Sequence, residues 1–156
     1  MSSEVLQMEV RGVLLPLRFG QMLLPNASVS EVIGYRDPEP PPEHAPEWLL
    51  GIMSWRQYPI PLVSFDSLLG HSDTSIGARA RIAICNTLNP NPERPLIGIL
   101  LRSIPHLVRV IEPLITPADD TGEAVEMMAR KVRISGQEAW IPDLDALEKA
   151  LDEILG

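Results

Sequence analysis

Short apolar segments separated by glycine and proline recur along the whole chain and predict a fold built mainly from β-strands. Residues 14–19 and 21–25 flank Gly20 and predict a first hairpin. Further strands are predicted where apolar and β-branched residues alternate or cluster, at residues 81–87, 96–101, 106–111, 131–134 and 138–141. The last two are close enough in sequence to form a hairpin of their own.

Helical signals are weak along most of the chain. Ser28 with Glu31 three residues later has the spacing of a capping box, which predicts one helical turn closed by Gly34. Two similar short helices are predicted before glycines, at residues 48–51 and 65–70. These segments are too short to carry the fold, so the prediction remains a mainly β protein with short helices.

The C-terminal segment is the exception, because it predicts a long amphipathic helix. Asp143 is a suitable N-cap, and the apolar residues that follow recur at helical spacing as Leu144, Leu147, Leu151, Ile154 and Leu155. The segment before the last hairpin, residues 116–128, is polar and predicts a loop with at most a short helix. We therefore expect one long helix to pack its apolar face on a core formed mainly by β-strands.

Residues 51–63 predict a hairpin that is restricted in how it can pair. The turn falls at Arg56-Gln57, and the returning strand contains Pro59 and Pro61. Successive backbone N–H groups of a strand point to opposite sides, so these two prolines remove donors from the same side. This pattern predicts an edge strand or a bulge rather than a central strand.

The connection before this hairpin, residues 37–47, reads DPEPPPEHAPE and predicts an extended, polyproline-like segment. Two interpretations are open. The segment is either a docking ligand for an aromatic groove or a stiff surface loop, and the absence of any basic residue within it favours the loop.

A faint internal repeat suggests that the chain contains two related halves. Residues 60–69 and 141–148 share an apolar-Pro pair followed by an apolar-Asp-small-Leu pattern, and each opens a predicted helix after a hairpin. We therefore predict one domain over residues 1–156, with subdomain regions at 13–70 and 71–156 and possible exchange of strands between them.

Composition limits the class of protein. The net charge of −8 argues against nucleic acid, whose non-specific binding depends on neutralisation of phosphates by Lys and Arg. The single Cys85 cannot form an intramolecular disulfide, which fits a reducing compartment. No segment has the length and apolar character of a membrane span or a signal peptide. These features predict a cytoplasmic protein that is not inserted in a membrane.

Residues with catalytic or metal-binding chemistry are scattered. No two of the three histidines, His44, His71 and His106, are four residues apart, as a pair of metal ligands on one helix would be. No metal site is therefore predicted. Cys85 lies in an apolar strand and is expected to be a buried, inert thiol. The glycines form no phosphate loop, and no nucleophile, base and oxyanion donor come together. We predict a protein that is not an enzyme and binds no cofactor.

A protein-binding surface is the remaining candidate function. Arg56 stands between Trp55 and Tyr58, and Arg, Trp and Tyr are the residues enriched in protein–protein hot spots. The alternative is an arginine that lies over its aromatic neighbours and shields them from water. The residues alone do not decide between these two roles.

The same stretch resembles the CheW family of chemotaxis coupling proteins. The family hallmark is a glycine before Asn-Leu-Arg-Gly, then Pro-Val and an apolar-Asp-Leu helix start; the matching segments here are GIMSWRQ at residues 51–57, YPIPLV at 58–63 and FDSLLG at 65–70. Residues 23–35, 95–111 and 137–151 resemble further strands and the last helix of that family. The resemblance extends over about residues 13–152.

The resemblance implies two SH3-like, five-stranded β-barrel subdomains that share a core. It also implies a non-catalytic adaptor that links chemoreceptors to a CheA-type histidine kinase. Residues matching Gly51 and Arg56 lie in the family's coupling region, so Gly51, Trp55, Arg56 and Tyr58 are the candidate partner-binding residues. The high proline content and the divergence from the family pattern suggest an accessory adaptor, similar to the ChpC type found with chemosensory systems of type IV pili.

Two departures from the family pattern bear on the site. Gln57 replaces the turn glycine, which leaves the geometry of the turn open, and Arg102 replaces an acidic residue in the second half. Partner specificity is therefore expected to differ from that of an ordinary coupling protein. The alternative function is a small-molecule-binding β-barrel module with its pocket at the apolar seam between the barrels.

Overall fold

The computed structural model describes residues 9–71, 76–89, 93–111, 115–117, 128–134 and 136–156. Within these residues the first half contains the strands β1 (Glu9–Leu17), β2 (Gly20–Pro25), β3 (Val29–Gly34), β4 (Leu49–Trp55) and β5 (Tyr58–Val63), followed by helix α1 (Phe65–Leu68). The second half contains β6 (Arg81–Asn86), β7 (Leu96–Leu101), β8 (His106–Ile111), β9 (Ile115–Pro117), β10 (Met128–Ile134) and β11 (Gln137–Pro142), followed by helix α2 (Leu144–Leu155).

The strands form two sheets of closely related topology. One sheet has the order β8-β1-β2-β11-β10-β9 and the other β3-β6-β7-β5-β4. The two orders coincide when β1 to β5 are matched with β6, β7, β8, β10 and β11, and β9 is then an additional sixth strand. The described pairings leave both sheets open, so the predicted five-stranded barrels are SH3-like sheets that are not closed by a backbone ladder.

Each half contributes strands to both sheets. The hairpin β4–β5 of the first half joins β7 through a parallel contact, and the hairpin β10–β11 of the second half joins β2 in the same way. Strand exchange between the halves was an expectation from the repeat. Because of this exchange the sheet boundaries do not follow the division at residue 70.

Most predicted elements are confirmed, including the first hairpin, the strands β6 to β8, the last hairpin and the helix α2. Two predicted helical turns are wrong. The capping-box segment is a 3-10 helix at Asn26–Ser28 followed by strand β3, and residues 49–51 begin strand β4. In both places pairing with a neighbouring strand outweighs the local helical signal. Most of the predicted loop at residues 116–128 lies outside the described residues.

The prediction for Pro59 and Pro61 is partly wrong. Strand β5 lies between β4 and β7, so it is not an edge strand. Its pairing with β7 nevertheless involves only Leu62 and Val63, beyond the second proline. The prolines occupy the side of β5 that faces β7, where their missing donors limit the contact to the end of the strand.

Two apolar clusters carry most of the core. The larger one lies between the sheets and the two helices and includes Leu15, Met22, Phe65, Ile99 and Leu147, each completely or almost completely buried. The second lies inside the curl of the five-stranded sheet; it comprises Met53, Trp55, Ile60, Leu62, Ile82, Ile84 and Leu96. The curled sheet therefore has an apolar interior of its own, beside the core that it shares with the rest of the chain.

Carboxylates on the helices hold the loops of the first hairpin in each half. Asp66 on α1 accepts hydrogen bonds from the backbone N–H groups of Arg18 and Phe19, both at 2.9 Å. On α2, Glu148 accepts from the backbone N–H groups of Leu88 at 2.5 Å and Asn89 at 3.0 Å. Both carboxylates are largely buried, and each satisfies donors that would otherwise lose their water.

Helix α2 begins and packs as its sequence predicts. The Asp143 side chain accepts a hydrogen bond from the backbone N–H of Ala146 at 3.0 Å, and Leu144, Leu147 and Leu151 are buried. The helix is thereby fixed at its start by a side-chain cap and along its length by apolar contacts.

We expect Leu151→Ala to lower the free energy of unfolding by about 2–5 kcal/mol, because it leaves a cavity in the shared core. Denaturant unfolding followed by circular dichroism measures the effect. Glu153→Ala on the exposed face of the same helix is the control and should change stability by less than about 0.5 kcal/mol. Equal stabilities of the two variants would show that α2 is not docked.

Candidate functional site

The tip of the β4–β5 hairpin has a backbone conformation that is unusual for its residues. Trp55 pairs with Tyr58, so Arg56 and Gln57 form a two-residue turn, and their φ angles are 50° and 70°. Positive φ at both central residues is the type I′ pattern, which normally takes Asn-Gly or Asp-Gly. A left-handed conformation costs a residue with a side chain roughly 1–3 kcal/mol. The hairpin therefore stores strain at its tip.

The Arg56 side chain lies over the neighbouring tryptophan and reaches another strand. Its guanidinium carbon is 4.3 Å from the centroid of the Trp55 ring, a cation–π distance. Its Nη2 donates to the Glu31 carboxylate on β3 at 3.0 Å. The Arg56 side chain is still 68% exposed. The sequence left open whether Arg56 shields its aromatic neighbours or is available to a partner. In the structure the same side chain covers Trp55 and is accessible to a partner.

The four candidate partner-binding residues differ in how exposed they are. Trp55 is only 7% exposed and belongs to the core of the curled sheet, while Tyr58 is 45% exposed beside it. Gly51 is buried, four residues before the tryptophan. The structure brings Trp55, Arg56 and Tyr58 together at the tip and leaves Arg56 and Tyr58 as the side chains open to contact.

Glu31 belongs to this cluster, although its sequence context indicated a helix cap. It lies on β3 opposite Ile84 of β6, at the far end of the sheet from the hairpin. The sheet curls enough for its carboxylate to meet Arg56 across the open seam. A contact between residues 25 positions apart leaves no local signal, so sequence reasoning had no means of finding it.

Gly51 provides room for the segment that crosses β4. A Cβ atom built on Gly51 would lie 2.1 Å from the Glu39 carbonyl oxygen, and the glycine has φ +154° at a β-bulge. Glu39 and Ile52 exchange two backbone hydrogen bonds, at 2.8 and 2.9 Å. The segment of residues 37–47 is therefore held on the hairpin at Glu39, and it is called the strap below. It is not extended throughout as predicted, because it turns at residues 43–44, where the Ala45 N–H donates to the Pro42 carbonyl at 2.9 Å.

The start of the strap is tied to the curled sheet. Tyr35 packs against the core of that sheet, and both its burial and a hydrogen bond with the Asp37 carboxylate raise the pKa of its phenol. Arg36 donates from Nη1 to the carbonyl oxygen of Ser54 at 3.4 Å, a long contact near the hairpin tip. The strap thus begins from a fixed point beside the candidate site.

A second exposed apolar surface lies on the edge strand β8 and the turn before it. Ile104 is 60% exposed and Leu107 is 72% exposed. Arg102, where the family pattern has an acidic residue, is also exposed, and its backbone N–H donates to Pro16. The replacement of an acid by a base therefore changes the charge next to an accessible apolar edge.

The described part of the chain offers little chemistry outside these surfaces. It contains no group of three or more His, Cys, Asp or Glu residues arranged to hold a metal ion. Burial raises the pKa of the Cys85 thiol to about 12, so this thiol stays protonated and unreactive near neutral pH. None of the described helices is both long and apolar enough to span a membrane.

A small cavity lies between the β6–β7 loop and helix α2. Its volume is about 110 Å³, and Glu148, Arg94 and Asp152 are among the residues that line it. Arg94 and Asp152 form an ion pair at 2.5 Å across it. Pockets for small molecules usually have volumes of roughly 300–1,000 Å³. This cavity is therefore smaller than a typical small-molecule pocket.

Two related β-sheets and a strained, arginine-tipped hairpin characterise this small β-rich protein. The sequence matches the CheW-like domain family over residues 11–151, almost its whole length. The chain belongs to this family, which confirms the class of protein that its motifs predicted, an adaptor of chemosensory signalling.

Comparison with solved structures supports the same fold. The crystal structure of the scaffolding protein TtCheW from Thermoanaerobacter tengcongensis is similar with a TM-score of 0.69 and 19% sequence identity. The match covers 86% of this chain and 89% of the TtCheW chain. Among curated proteins no significant match is found. At this level of identity the structural match shows the fold alone.

The strained turn leads to a prediction about stability. Gln57→Gly removes the Cβ atom from a left-handed position, and we expect it to raise the free energy of unfolding by about 0.5–1 kcal/mol. Chemical denaturation of both proteins under the same conditions measures the difference.

Ser54→Gly is the matched control, because Ser54 is exposed in the extended part of the same hairpin. There a glycine should lower stability by about 0.5–1 kcal/mol through the added freedom of the unfolded chain. If both glycine variants are destabilised alike, the turn at Arg56-Gln57 is not strained as described.

Proposed function

We propose that this protein is a non-catalytic, cytoplasmic adaptor that links chemoreceptors to a CheA-type histidine kinase. Family membership supports the coupling role. We further propose that it serves as an accessory adaptor of the ChpC type in a chemosensory system of type IV pili. The high proline content, 16 residues, supports this narrower assignment.

The single observation that carries the partner site is the state of Arg56. Its side chain is held in position by the Trp55 ring and by Glu31, but it is 68% exposed. An exposed ion pair contributes only about 0–1 kcal/mol, so a partner carboxylate can replace Glu31 at little cost. Since the aromatic contact orients the guanidinium beforehand, less side-chain freedom is lost on binding. This geometry favours a protein partner with an acidic side chain.

Tyr58 extends the proposed contact. It lies directly after the turn and is 45% exposed, so its ring can add apolar area beside the charge. Trp55 and Gly51 position this surface without being accessible themselves. The Trp55 ring packs against the Arg56 guanidinium, and Gly51 leaves room for the strap. The proposed partner-binding set thus has two contacting residues, Arg56 and Tyr58, and two positioning residues, Trp55 and Gly51.

Arg56→Glu tests the proposal. A carboxylate at this position repels an acidic partner group, and loss of a desolvated charge pair costs about 2–5 kcal/mol, which corresponds to at least about 30-fold weaker binding. The measurement is titration of the purified kinase and the cytoplasmic receptor fragment of the same host, together with the melting temperature. Tyr58→Ala should weaken binding less, because the tyrosine adds contact area but no charge.

A charge swap separates recognition from structure. In Arg56→Glu with Glu31→Arg, the internal ion pair is rebuilt in reverse but the cation–π contact with Trp55 is not. The melting temperature should therefore recover only the part that the ion pair contributes, while binding stays weak. Arg133→Glu is the control, since Arg133 also forms an exposed ion pair, with Glu138 on the other sheet. Unchanged binding by Arg56→Glu, or binding restored by the charge swap, would count against a direct contact by Arg56.

A further inference from the structure

One edge of strand β4 has no ladder partner in the described sheet. It is the last strand in the described order of its sheet, and β5 is its only ladder partner there. In the register set by the two-residue turn, Met53 faces β5, so Ile52 and Ser54 turn their backbone groups outward. An edge of this kind can accept another strand unless it is covered.

The strap covers this edge through one bridge. Glu39 donates to the Ile52 carbonyl at 2.8 Å and accepts from the Ile52 N–H at 2.9 Å. Prolines occupy positions 38, 40, 41 and 42, so Glu39 is the only residue of 38–42 that has a backbone N–H. In antiparallel register with Glu39 and Ile52, the next strap residues whose backbone groups face β4 are Asp37 and Pro41, and Pro41 has no N–H. The strap therefore cannot continue this bridge into a ladder toward Leu50.

The other half of the molecule shows what a fuller cover looks like. Strand β10 is the counterpart of β4, and its outer edge pairs with β9 at three successive positions, Ile115, Thr116 and Pro117. In the first half the equivalent cover among the described residues is the single pair Glu39–Ile52. The β4 edge is thus held closed by a minimal contact.

Gly51 acts as the latch for this contact. The position of a Cβ atom on Gly51 lies 2.1 Å from the Glu39 oxygen and 2.9 Å from the Pro38 side chain. Any side chain at position 51 must push the strap away from β4 or distort the bridge. A residue buried in the hairpin therefore controls whether the strap lies closed.

We propose that the strap is an edge guard that prevents β4 from pairing with β4 of a second copy of this chain. Residues 49–55 carry no charge, so two such edges can approach each other in antiparallel pairing around a two-fold axis. The strap contains four acidic residues, Asp37, Glu39, Glu43 and Glu47. Prolines and charge on the cover of an edge strand both oppose strand addition. This proposal does not depend on the identity of the signalling partners.

Opening the latch tests the proposal. In Gly51→Ala we expect the amide of Ile52 to exchange hydrogen at least tenfold faster, while the amide of Met53, which faces β5, stays protected. Light scattering after size exclusion, over increasing protein concentration, should show a larger dimer fraction than in the wild type. Gly34→Ala is the matched control, because nothing lies within 4 Å of its added Cβ; it should behave as the wild type does.

Glu39→Pro opens the strap without changing β4, because it removes the donor to Ile52. It should raise the exchange rate and the dimer fraction in the same direction as Gly51→Ala, and it decides the test if Gly51→Ala does not fold. Adding Ser54→Pro to either variant removes an outward donor of β4 and should reduce the dimer.

Three results would overturn the proposal. If neither variant speeds exchange at Ile52, the Glu39–Ile52 bridge does not protect this amide. If exchange increases without any added dimer, the β4 edge does not pair with a second copy. A dimer that persists with Ser54→Pro, or that appears equally in Gly34→Ala, would place the association elsewhere.

Discussion

The curl of the five-stranded sheet is the constraint on which the candidate site depends. Its end strands β3 and β4 have no described backbone ladder between them, but the sheet bends around an apolar interior until they face each other. Side chains then bridge the seam: Glu31 on β3 meets Arg56 at the tip of the β4–β5 hairpin. Packing of Trp55 and its neighbours supplies the energy for this arrangement, since an exposed ion pair contributes too little to bend a sheet. The exposed guanidinium is therefore positioned by the core beneath it.

Features set by neighbours in sequence could be predicted. Gly20 marked the first hairpin, Asp143 marked the start of α2, and the prolines at 59 and 61 indicated restricted pairing. The errors arose where local helix signals competed with partners far along the chain. Ser28 and Glu31 have the spacing of a capping box, but pairing of β3 with β6 places Glu31 in a strand. Glycine next to an apolar run suggested a helix end at Gly51, whereas the glycine is needed for a close approach of the strap.

The candidate site was predictable only in part for the same reason. Arg56 and its aromatic neighbours are contiguous, so their clustering could be inferred from the sequence. The contact of Arg56 with Glu31 and that of Gly51 with Glu39 depend on strand order and on the curl of the sheet. Neither is encoded at a fixed spacing. The repeat suggested possible exchange of strands between the halves, but not which strands would pair, because the parallel contacts of β5 and β11 connect segments that are distant in sequence.

Comparison of the two matched hairpins gives an internal reason to regard the tip of the first as functional. In the second, β10–β11, a glycine with positive φ, Gly136, lies in the turn, and the cation–π contact of Lys131 with Trp140 spans 5.4 Å. In the first, Arg56 and Gln57 accept left-handed conformations that a glycine would relieve, and the guanidinium approaches its tryptophan to 4.3 Å. The same chain thus contains a matched hairpin with a glycine at the second turn position, where the first hairpin has Gln57. A strained turn that is kept although a glycine could replace its residues is typical of a functional site, where the side chain itself is needed.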